Sequence, residues 1–259
     1  MHAIFAMNTN LKPASQKLRH LHSGGLGSFL SLPCMYGELR VPKTVRLTGL
    51  ALCHVTLPPY GETKDTPGEQ GHYHRRMTEI YCFTRGSGQL LLNGHWHAVH
   101  SGMAAVVPPM VMHTAAANGE GMEFVVWSCP AFISDDSFDL FSYPPEFSHH
   151  DPAWVRESYV ATSQRPVELN PLFALADYTV ACARLEPGAH IPPHRHARDE
   201  EACFIVDGSA EVTLGRRTIF LEKGALISIS PGAEHGIIAG PRGVRYYVAA
   251  TPPVVECGV

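Results

Sequence analysis

Residues 194–208 read HRHARDEEACFIVDG, in which two histidines stand one residue apart and a glutamate follows the second by five positions. Side chains alternate between the two faces of a strand, so His194 and His196 point the same way if this segment is extended. Imidazole and carboxylate groups are both common ligands of divalent transition metals. The stretch therefore predicts part of a metal site on β structure.

An earlier segment, HYHRRMTEIYCFTRG at residues 72–86, repeats the same ligand pattern. Its His72, His74 and Glu79 each precede their counterparts by 122 residues. The same offset continues beyond the two segments and joins these pairs: Gly86 and Gly208, Gly102 and Gly224, Pro109 and Pro231, His113 and His235, Gly121 and Gly243, Val126 and Val248, Pro130 and Pro252. A fixed offset of this kind indicates a duplicated domain.

Turn residues separate short apolar runs along most of the chain, which has 23 glycines and 21 prolines. Asn93-Gly94 stands between two such runs and is a strong signal for a tight hairpin. Gly215-Arg216 holds the same place in the second copy. Long stretches of helical periodicity are missing, so the sequence predicts a mainly β protein built from hairpins, a barrel or a sandwich.

Both halves resemble the cupin family, whose first motif is Gly, five residues, His-x-His, three or four residues, Glu, six residues, Gly. Its second motif is Gly, five residues, Pro-x-Gly, two residues, His. The second half matches with Gly188, His194, His196, Glu201, Gly208, Gly224, Gly232 and His235, and has Ser230 in place of the proline. The first half matches with His72, His74, Glu79, Gly86, Gly102, Pro108 and His113, has Met110 in place of a glycine and lacks the first glycine.

This resemblance covers roughly residues 45–252 and implies an all-β fold of tandem cupin (double-stranded β-helix, jelly-roll) barrels, a bicupin. The organisation it implies is an N-terminal arm at 1–44, an N-terminal cupin barrel at 45–130, an inter-barrel linker at 131–170 and a C-terminal cupin barrel at 171–259. The first copy carries about six extra residues within 60–71. Stretches 134–141 and 151–159 predict two short helices, since each opens with an N-capping residue.

Each half is expected to hold one divalent transition metal. The two predicted ligand sets are His72, His74, Glu79 and His113, and His194, His196, Glu201 and His235. Fe(II) is favoured and Mn(II) is close to it, with Zn, Ni, Co and Cu as further alternatives. The two carboxylates, Glu79 and Glu201, are the candidate catalytic residues. His95 and His97 also form a His-x-His pair, but no carboxylate follows at the right spacing, so they are expected to be ordinary strand residues.

Residues beside the ligands are candidates for a substrate pocket: Tyr81, Phe83, Arg75, Arg76, Cys203, Ile205 and Arg198. Alternation puts Tyr81 and Phe83 on the same side of their strand as Glu79, which predicts an aromatic first cavity and a smaller, aliphatic second one. These side chains can equally be fillers of the barrel cores. An arginine here can hold a substrate carboxylate, whereas Arg195 points away from its flanking histidines and is expected to form an outward salt bridge. Cys203 is either a soft group near the metal or an inert buried thiol.

Composition and charge narrow the partners. A net charge of −4 leaves no broad basic surface for nucleic acid. Seven scattered cysteines without a Cys-x-x-Cys pair fit free thiols in a reducing compartment. The apolar run in MHAIFAMNTNLK is too short for a secretory signal, and no apolar segment reaches the length of a transmembrane helix. We expect a cytoplasmic protein with a small-molecule substrate and no nucleic-acid or membrane partner; the cupin resemblance adds a homodimer.

The leading functional hypothesis is a metal-dependent bicupin oxidoreductase, a non-haem Fe(II)-type dioxygenase that acts on a small oxygen-bearing organic substrate. The ligand sets, the aromatic residues beside Glu79 and a resemblance to bicupin dioxygenases favour it. The alternative is a non-redox isomerase, cyclase, decarboxylase or aminohydrolase, in which the metal acts as a Lewis acid. A binding or storage bicupin without catalysis is disfavoured because both halves keep a full ligand set.

Overall fold

A computed structural model describes residues 49–63, 71–131, 133, 135–138, 166–175 and 178–251, together with the backbone of 25–27, 29–34, 37–42, 139 and 154–156. All regular elements in these ranges are strands, so the predicted all-β fold is confirmed. In the same ranges no helix has the length and apolarity needed to cross a membrane.

The strands in chain order are β1 (Gly25–Gly27), β2 (Phe29–Cys34), β3 (Gly37–Pro42), β4 (Ala51–Leu57), β5 (His72–Tyr73), β6 (Thr78–Leu92), β7 (His95–His100), β8 (Met103–Val107), β9 (His113–Cys129), β10 (Phe138–Asp139), β11 (Trp154–Arg156), β12 (Val167–Ala174), β13 (Thr179–Leu185), β14 (His190–His194), β15 (Glu200–Leu214), β16 (Arg217–Glu222), β17 (Leu226–Ile229) and β18 (His235–Thr251). Within the described residues they form two antiparallel sheets. One follows the path β11-β8-β6-β9-β4-β3-β2 and the other the path β1-β17-β15-β18-β13-β12. Each sheet curls into one barrel. Strands β5, β7 and β10 pair with strands of the first sheet, and β14 and β16 pair with strands of the second.

The predicted hairpins are present in both barrels. Leu92 pairs with His95 across the Asn93-Gly94 turn, whose φ angles are 46° and 85°. These left-handed values are the ones that a tight two-residue turn requires and that asparagine and glycine tolerate best. In the second barrel Gly215 and Arg216 form the equivalent turn between β15 and β16. The short β-ribbons therefore start from local sequence signals in the two halves.

Two pairs of repeated glycines allow the long strands to approach each other closely. Gly86 and Gly208 have φ angles of 72° and 75° and lie against the carbonyl oxygens of Gly121 and Gly243. A Cβ atom at either position would collide with that oxygen. The ladder shifts register at these places, so each long strand bends there and contributes to both sides of its barrel.

Alternation along β6 divides its side chains between two cores. Tyr81 and Phe83 pack inside the first barrel, whereas Ile80 and Cys82 join an apolar cluster shared with the second barrel. The second-barrel members of this shared cluster are Leu172, Phe173, Tyr178, Val180, Cys182, Ala202, Phe204, Val206, Leu226, Tyr247 and Ala249. The outer faces of two sheets thus become buried against each other, while the inner faces remain available to surround a site.

Segments outside the two predicted barrels also contribute strands, including both stretches predicted to be helices. In the predicted arm, β1 pairs with β17 of the second barrel, and β2 and β3 extend the sheet of the first. In the predicted linker, β10 pairs with β5, β11 pairs with β8, and β12 begins at Val167. The helix predictions for 134–141 and 151–159 are wrong where the structure describes these stretches. Free strand edges of the barrels supply backbone partners there, and this tertiary pairing overrides local helix signals. Residues 64–70 of the longer first-copy loop lie outside the described residues.

Candidate metal centres

The first candidate centre gathers its four predicted ligands from three strands and one loop. His72 is on β5, His74 follows it in the loop, Glu79 is near the start of β6, and His113 begins β9. One ligand atom of each lies within 4.8 Å of those of the others. Glu79 is central: its Oε2 lies 3.0 Å from Nε2 of His113, and its Oε1 lies 3.4 Å from Nε2 of His74. His72 and His113 are directly opposite each other in the pairing of β5 with β9, which places their side chains side by side.

In the second centre the three histidines form the cluster, and Glu201 lies beside two of them. Nitrogen atoms of His194, His196 and His235 lie within 4.8 Å of one another. Oε2 of Glu201 is 3.3 Å from Nε2 of His235 and 3.5 Å from Nε2 of His196. His194 pairs with His235 through the backbone, as in the first barrel. This centre is less enclosed, since the His196 side chain is 19% exposed and that of His74 is 5%.

Hydrogen bonds to carbonyl oxygens set the orientation of four imidazoles. Nδ1 of His113, His194 and His235 donates to the carbonyl two residues earlier, and Nδ1 of His74 donates to the carbonyl of Asp136. A carbonyl can only accept, so the proton of each neutral ring is on Nδ1 and the lone pair of Nε2 is directed inward. All four rings therefore present the atom that a metal would bind.

Several inward-facing atoms lack a hydrogen-bond partner and lie too close together to be left without a cation or proton between them. Within the described residues, the buried Nε2 atoms of His74 and His235 and Oε2 of Glu201 make no hydrogen bond. Nε2 of His194 is 3.1 Å from Nε2 of His196. Lone pairs at such distances repel each other unless a positive charge lies among them. Three imidazoles in each barrel, with Glu79 in the first cluster and Glu201 beside the second, fit a divalent transition metal.

Electrostatics in the first centre keeps the Glu79 carboxylate negative and the His72 imidazole neutral. Burial, together with the neighbouring His113 and His74, holds the pKa of His72 well below its ordinary value. Burial alone would raise the pKa of Glu79, but the adjacent His113 and His74 hold it well below its usual range. Glu79 is therefore ionised at neutral pH, which is the form that binds a cation.

The predicted pocket residues of the first barrel lie directly behind the ligands. The Tyr81 hydroxyl donates a hydrogen bond to Oε2 of Glu79 at 3.2 Å, and its ring meets the His113 ring edge-on. Burial and then the charge of Glu79 raise the pKa of Tyr81 well above its ordinary value, so the hydroxyl keeps its proton. Phe83 lies deeper in the core, with Phe124 packed against both aromatic rings. Phe124 was not among the predicted pocket residues, although the repeat pairs it with the aromatic Tyr246 of the second barrel.

The corresponding positions of the second barrel carry smaller groups. Sγ of Cys203 lies 3.9 Å from Oε1 of Glu201, and Ile205 is fully buried in the barrel core. Burial, together with Glu201, raises the pKa of the Cys203 thiol well above its usual range. A thiol that remains protonated is a poor metal ligand and a poor nucleophile, so Cys203 acts here as a small buried side chain.

The predicted arginines lie outside the ligand clusters. Arg75 stacks its guanidinium group on Phe138, 4.1 Å from the ring centre, and Arg76 forms ion pairs with Asp135 and Asp136. Arg198 is exposed on the loop between β14 and β15. Arg195 forms the outward salt bridge expected of it, with Glu234 at 2.9 Å. His95 and His97 lie on β7, away from both ligand sets.

Comparison with known proteins connects both halves to cupin-type families. A model described as "Cupin domain" matches residues 182–248, and one described as "AraC-like ligand binding domain" matches residues 62–163. Dimethylsulfoniopropionate lyase DddW from Ruegeria pomeroyi is 34% identical over 70 residues, which are 27% of this chain and 45% of that protein. The chain thus spans less than half the length of this curated relative.

Solved structures show the same two-barrel fold. A protein from Pseudomonas aeruginosa described as glyoxylate induced superposes with a TM-score of 0.64 over 85% of this chain and 84% of its own, at 17% identity. Oxalate decarboxylase from Bacillus subtilis, a protein with Mn(II) centres, gives a TM-score of 0.62 over 90% of this chain and 78% of its own, at 15% identity. At these identities the likeness shows the fold alone.

Proposed function

We propose that this chain, which belongs to the cupin superfamily and is a bicupin, is a metal-dependent lyase that acts on a small carboxylate substrate. The names of two relatives, dimethylsulfoniopropionate lyase and oxalate decarboxylase, each describe a carboxylate substrate and the loss of part of it. They favour the non-redox alternative considered from the sequence. Their low identity or short overlap leaves the individual substrate to experiment.

The observation that carries this proposal is the contact between Tyr81 and Glu79 at the edge of the first ligand cluster. When a bond next to a carboxylate is cleaved, either an electron pair remains on carbon and takes up a proton, or a base removes a proton from carbon to start the cleavage. Such a reaction therefore needs a group that exchanges one proton. The protonated Tyr81 hydroxyl has its oxygen 3.2 Å from Oε2 of Glu79, the carboxylate of the proposed ligand set. In the second barrel the corresponding group is a buried thiol. We therefore locate the reaction in the first barrel.

The remaining residues of the first barrel support this reaction in two ways. A bound divalent cation would supply positive charge that holds a substrate carboxylate oxygen and stabilises developing negative charge. Phe83 and Phe124 form the apolar floor beneath Tyr81 and exclude water from it. Glu79 would then bind the cation and still accept the hydrogen bond from the Tyr81 hydroxyl.

The dioxygenase predicted from the sequence is the second candidate, because three imidazoles and a carboxylate are also ligands that Fe(II) accepts. The two reactions differ in their demand for oxygen. A dioxygenase consumes dioxygen in proportion to product, whereas a lyase forms its products without net consumption of oxygen.

The test begins with metal analysis of protein purified without added metal, followed by loading of metal-free protein with Mn(II), Fe(II) or Zn(II). Small carboxylates, including oxalate and dimethylsulfoniopropionate, are then screened by NMR for cleavage while an electrode records oxygen. We expect cleavage of one of them without proportional oxygen uptake, and none with a Glu79→Gln variant. Product formation matched by oxygen consumption would replace the lyase by the dioxygenase.

A further inference from the structure

Asp136 is an aspartate with 1% exposure, although it stands in the segment that joins the two barrels. Its carboxylate accepts hydrogen bonds from three consecutive backbone N–H groups, those of Arg75 at 3.2 Å, Arg76 at 3.0 Å and Met77 at 3.1 Å. Nε of Arg76 adds a fourth bond, at 3.3 Å. These N–H groups belong to the loop between the ligands His74 and Glu79, so one buried carboxylate holds the whole loop.

The backbone of the same residue contacts a metal ligand directly. Nδ1 of His74 donates a hydrogen bond of 2.7 Å to the main-chain oxygen of Asp136, 62 residues further along the chain. This bond keeps the proton on Nδ1 and directs Nε2 toward Glu79. The side chain of Asp136 therefore anchors the loop from which His74 projects, and its carbonyl orients the His74 ring.

Neighbouring contacts hold this segment in place over the ligand strand. Phe138 stacks on Tyr73 with ring centres 5.4 Å apart, and the Arg75 guanidinium lies 4.1 Å from the centre of the Phe138 ring. Backbone pairing of β10 with β5 joins Phe138 to Tyr73 in the ladder. The position of the Asp136 carbonyl is thus defined by a side-chain cluster and by backbone pairing.

The second barrel anchors its corresponding histidine differently. Nδ1 of His196 has a carboxylate oxygen of Asp199 at 3.9 Å, which is beyond hydrogen-bonding distance. The first barrel has added a remote anchor at the position where the second has a loose local contact. This difference matches the stronger enclosure of the first centre.

We propose that Asp136 is a positioning residue of the first metal centre, which sets the orientation of His74 and thereby the metal affinity and coordination geometry of that centre alone. The inference rests on the proposed function only in that the first barrel binds a metal. It holds for a lyase and for a dioxygenase alike.

Mn(II) binding to the full chain tests this, with each centre examined in a background that removes the other. In a Glu201→Gln background only the first centre remains, and we expect Asp136→Asn to weaken Mn(II) binding there by roughly 10- to 100-fold, the usual effect of losing an outer hydrogen-bond partner of a ligand. The Mn(II) EPR spectrum should change as well, because His74 is reoriented. In a Glu79→Gln background the same substitution should leave the affinity of the second centre unchanged.

Asp199→Asn in the Glu79→Gln background is the matched control and should have little effect, since the contact of Asp199 with His196 is long. Loss of metal from both centres in Asp136→Asn would mean that Asp136 supports the fold in general, and the inference would fail. Unchanged affinity and an unchanged spectrum of the first centre would overturn it too. If the unsubstituted chain binds no Mn(II), Fe(II) or Zn(II) at either centre, both the proposed function and this inference fail. If it binds metal but Asp136→Asn changes neither affinity nor spectrum, only this inference fails.

Discussion

The Tyr81 hydroxyl donates a hydrogen bond to Oε2 of Glu79, the same oxygen that lies 3.0 Å from Nε2 of His113. One carboxylate oxygen thus contacts both a metal-ligand atom and a hydroxyl that has no counterpart at the matching position of the second barrel. At the matching position Cys203 approaches Glu201 no closer than 3.9 Å. The two barrels share their ligands but differ in the proton-bearing group beside them.

Removal of the Tyr81 hydroxyl should separate catalysis from metal binding. We expect Tyr81→Phe to lower kcat by roughly 100- to 10,000-fold, the range for loss of a general acid or base. Its metal content should stay the same, because the four ligands are intact. Steady-state kinetics and elemental analysis on the same preparation measure both. Cys203→Ala, at the matching place in the second barrel, is the control, and a Tyr81→Phe enzyme with kcat close to that of the unchanged protein would exclude Tyr81 from the reaction.

Separate replacement of the two ligand carboxylates should identify the working centre. Glu79→Gln and Glu201→Gln each remove the negative charge from one ligand set, so each variant should bind one metal fewer per chain. We expect Glu79→Gln to reduce turnover far more than Glu201→Gln, because only the first barrel has the Tyr81 hydroxyl. Turnover assays with metal analysis give the ranking. The opposite ranking would transfer the reaction to the second barrel.

The repeat made much of this site predictable. An offset of 122 residues with matching ligands identified the duplicated fold and pointed to the seven residues of the two clusters and to Glu201 beside the second. Period-two alternation also placed Tyr81 beside Glu79. Both deductions depend on local spacing, because the position of a residue along a strand determines the face to which its side chain points.

What the sequence did not reveal depends on contacts between distant segments. Asp136 lies outside the repeated region, and nothing local distinguishes it from Asp135, which is mostly exposed. Its role arises only because β10 pairs with β5 and carries it to the His74 loop. The strand at Trp154–Arg156 was similarly missed, since its hydrogen-bond partners belong to β8. Edge pairing of this kind has no periodic signature in the sequence.

Metal removal should destabilise the protein. A ligand that binds only the folded state stabilises it by about 2.7 kcal/mol when its free concentration is about 100 times Kd. We expect Tm to fall on chelation and to recover when Mn(II), Fe(II) or Zn(II) is restored, as measured by differential scanning fluorimetry. A double variant with Glu79→Gln and Glu201→Gln should show neither change. An equal chelator effect on this double variant would mean that the cation binds elsewhere.

Acid should weaken metal binding because protons compete for the imidazoles. Burial lowers the pKa of His74, but the adjacent Glu79 carboxylate outweighs it, so this pKa lies above its ordinary value without metal. His235 shows the same balance with Glu201. Affinity for Mn(II) should therefore decrease as the pH is lowered, and the decrease should begin above about pH 6.5. Titrations from about pH 8 to about pH 5 measure it. Affinity that is constant over this range would contradict ligation by these histidines.

Glu123 links the barrels through charge and should make stability depend on pH. Its Oε1 lies 3.3 Å from Nε2 of the buried His54, and its Oε2 lies 3.5 Å from Nε of Arg85 and 3.9 Å from Nζ of Lys223 in the second barrel. The group lines a cavity of about 210 Å³ between the barrels. The hydrogen bond with His54, together with the nearby cations, holds the pKa of Glu123 below its ordinary value.

A carboxylate with a lowered folded-state pKa stabilises the protein above its unfolded pKa of about 4.3, and this contribution is lost as the pH falls through the folded value. We expect Glu123→Gln to reduce the free energy of unfolding by on the order of 1–2 kcal/mol at neutral pH. The curves of the variant and the unchanged protein should converge below about pH 4. Unfolding of metal-free protein followed against pH measures this. The exposed Glu222→Gln makes the same change in net charge and should run parallel to the unchanged protein, whereas a constant gap for Glu123→Gln down to acid pH would show that the charge of Glu123 is not what stabilises the interface.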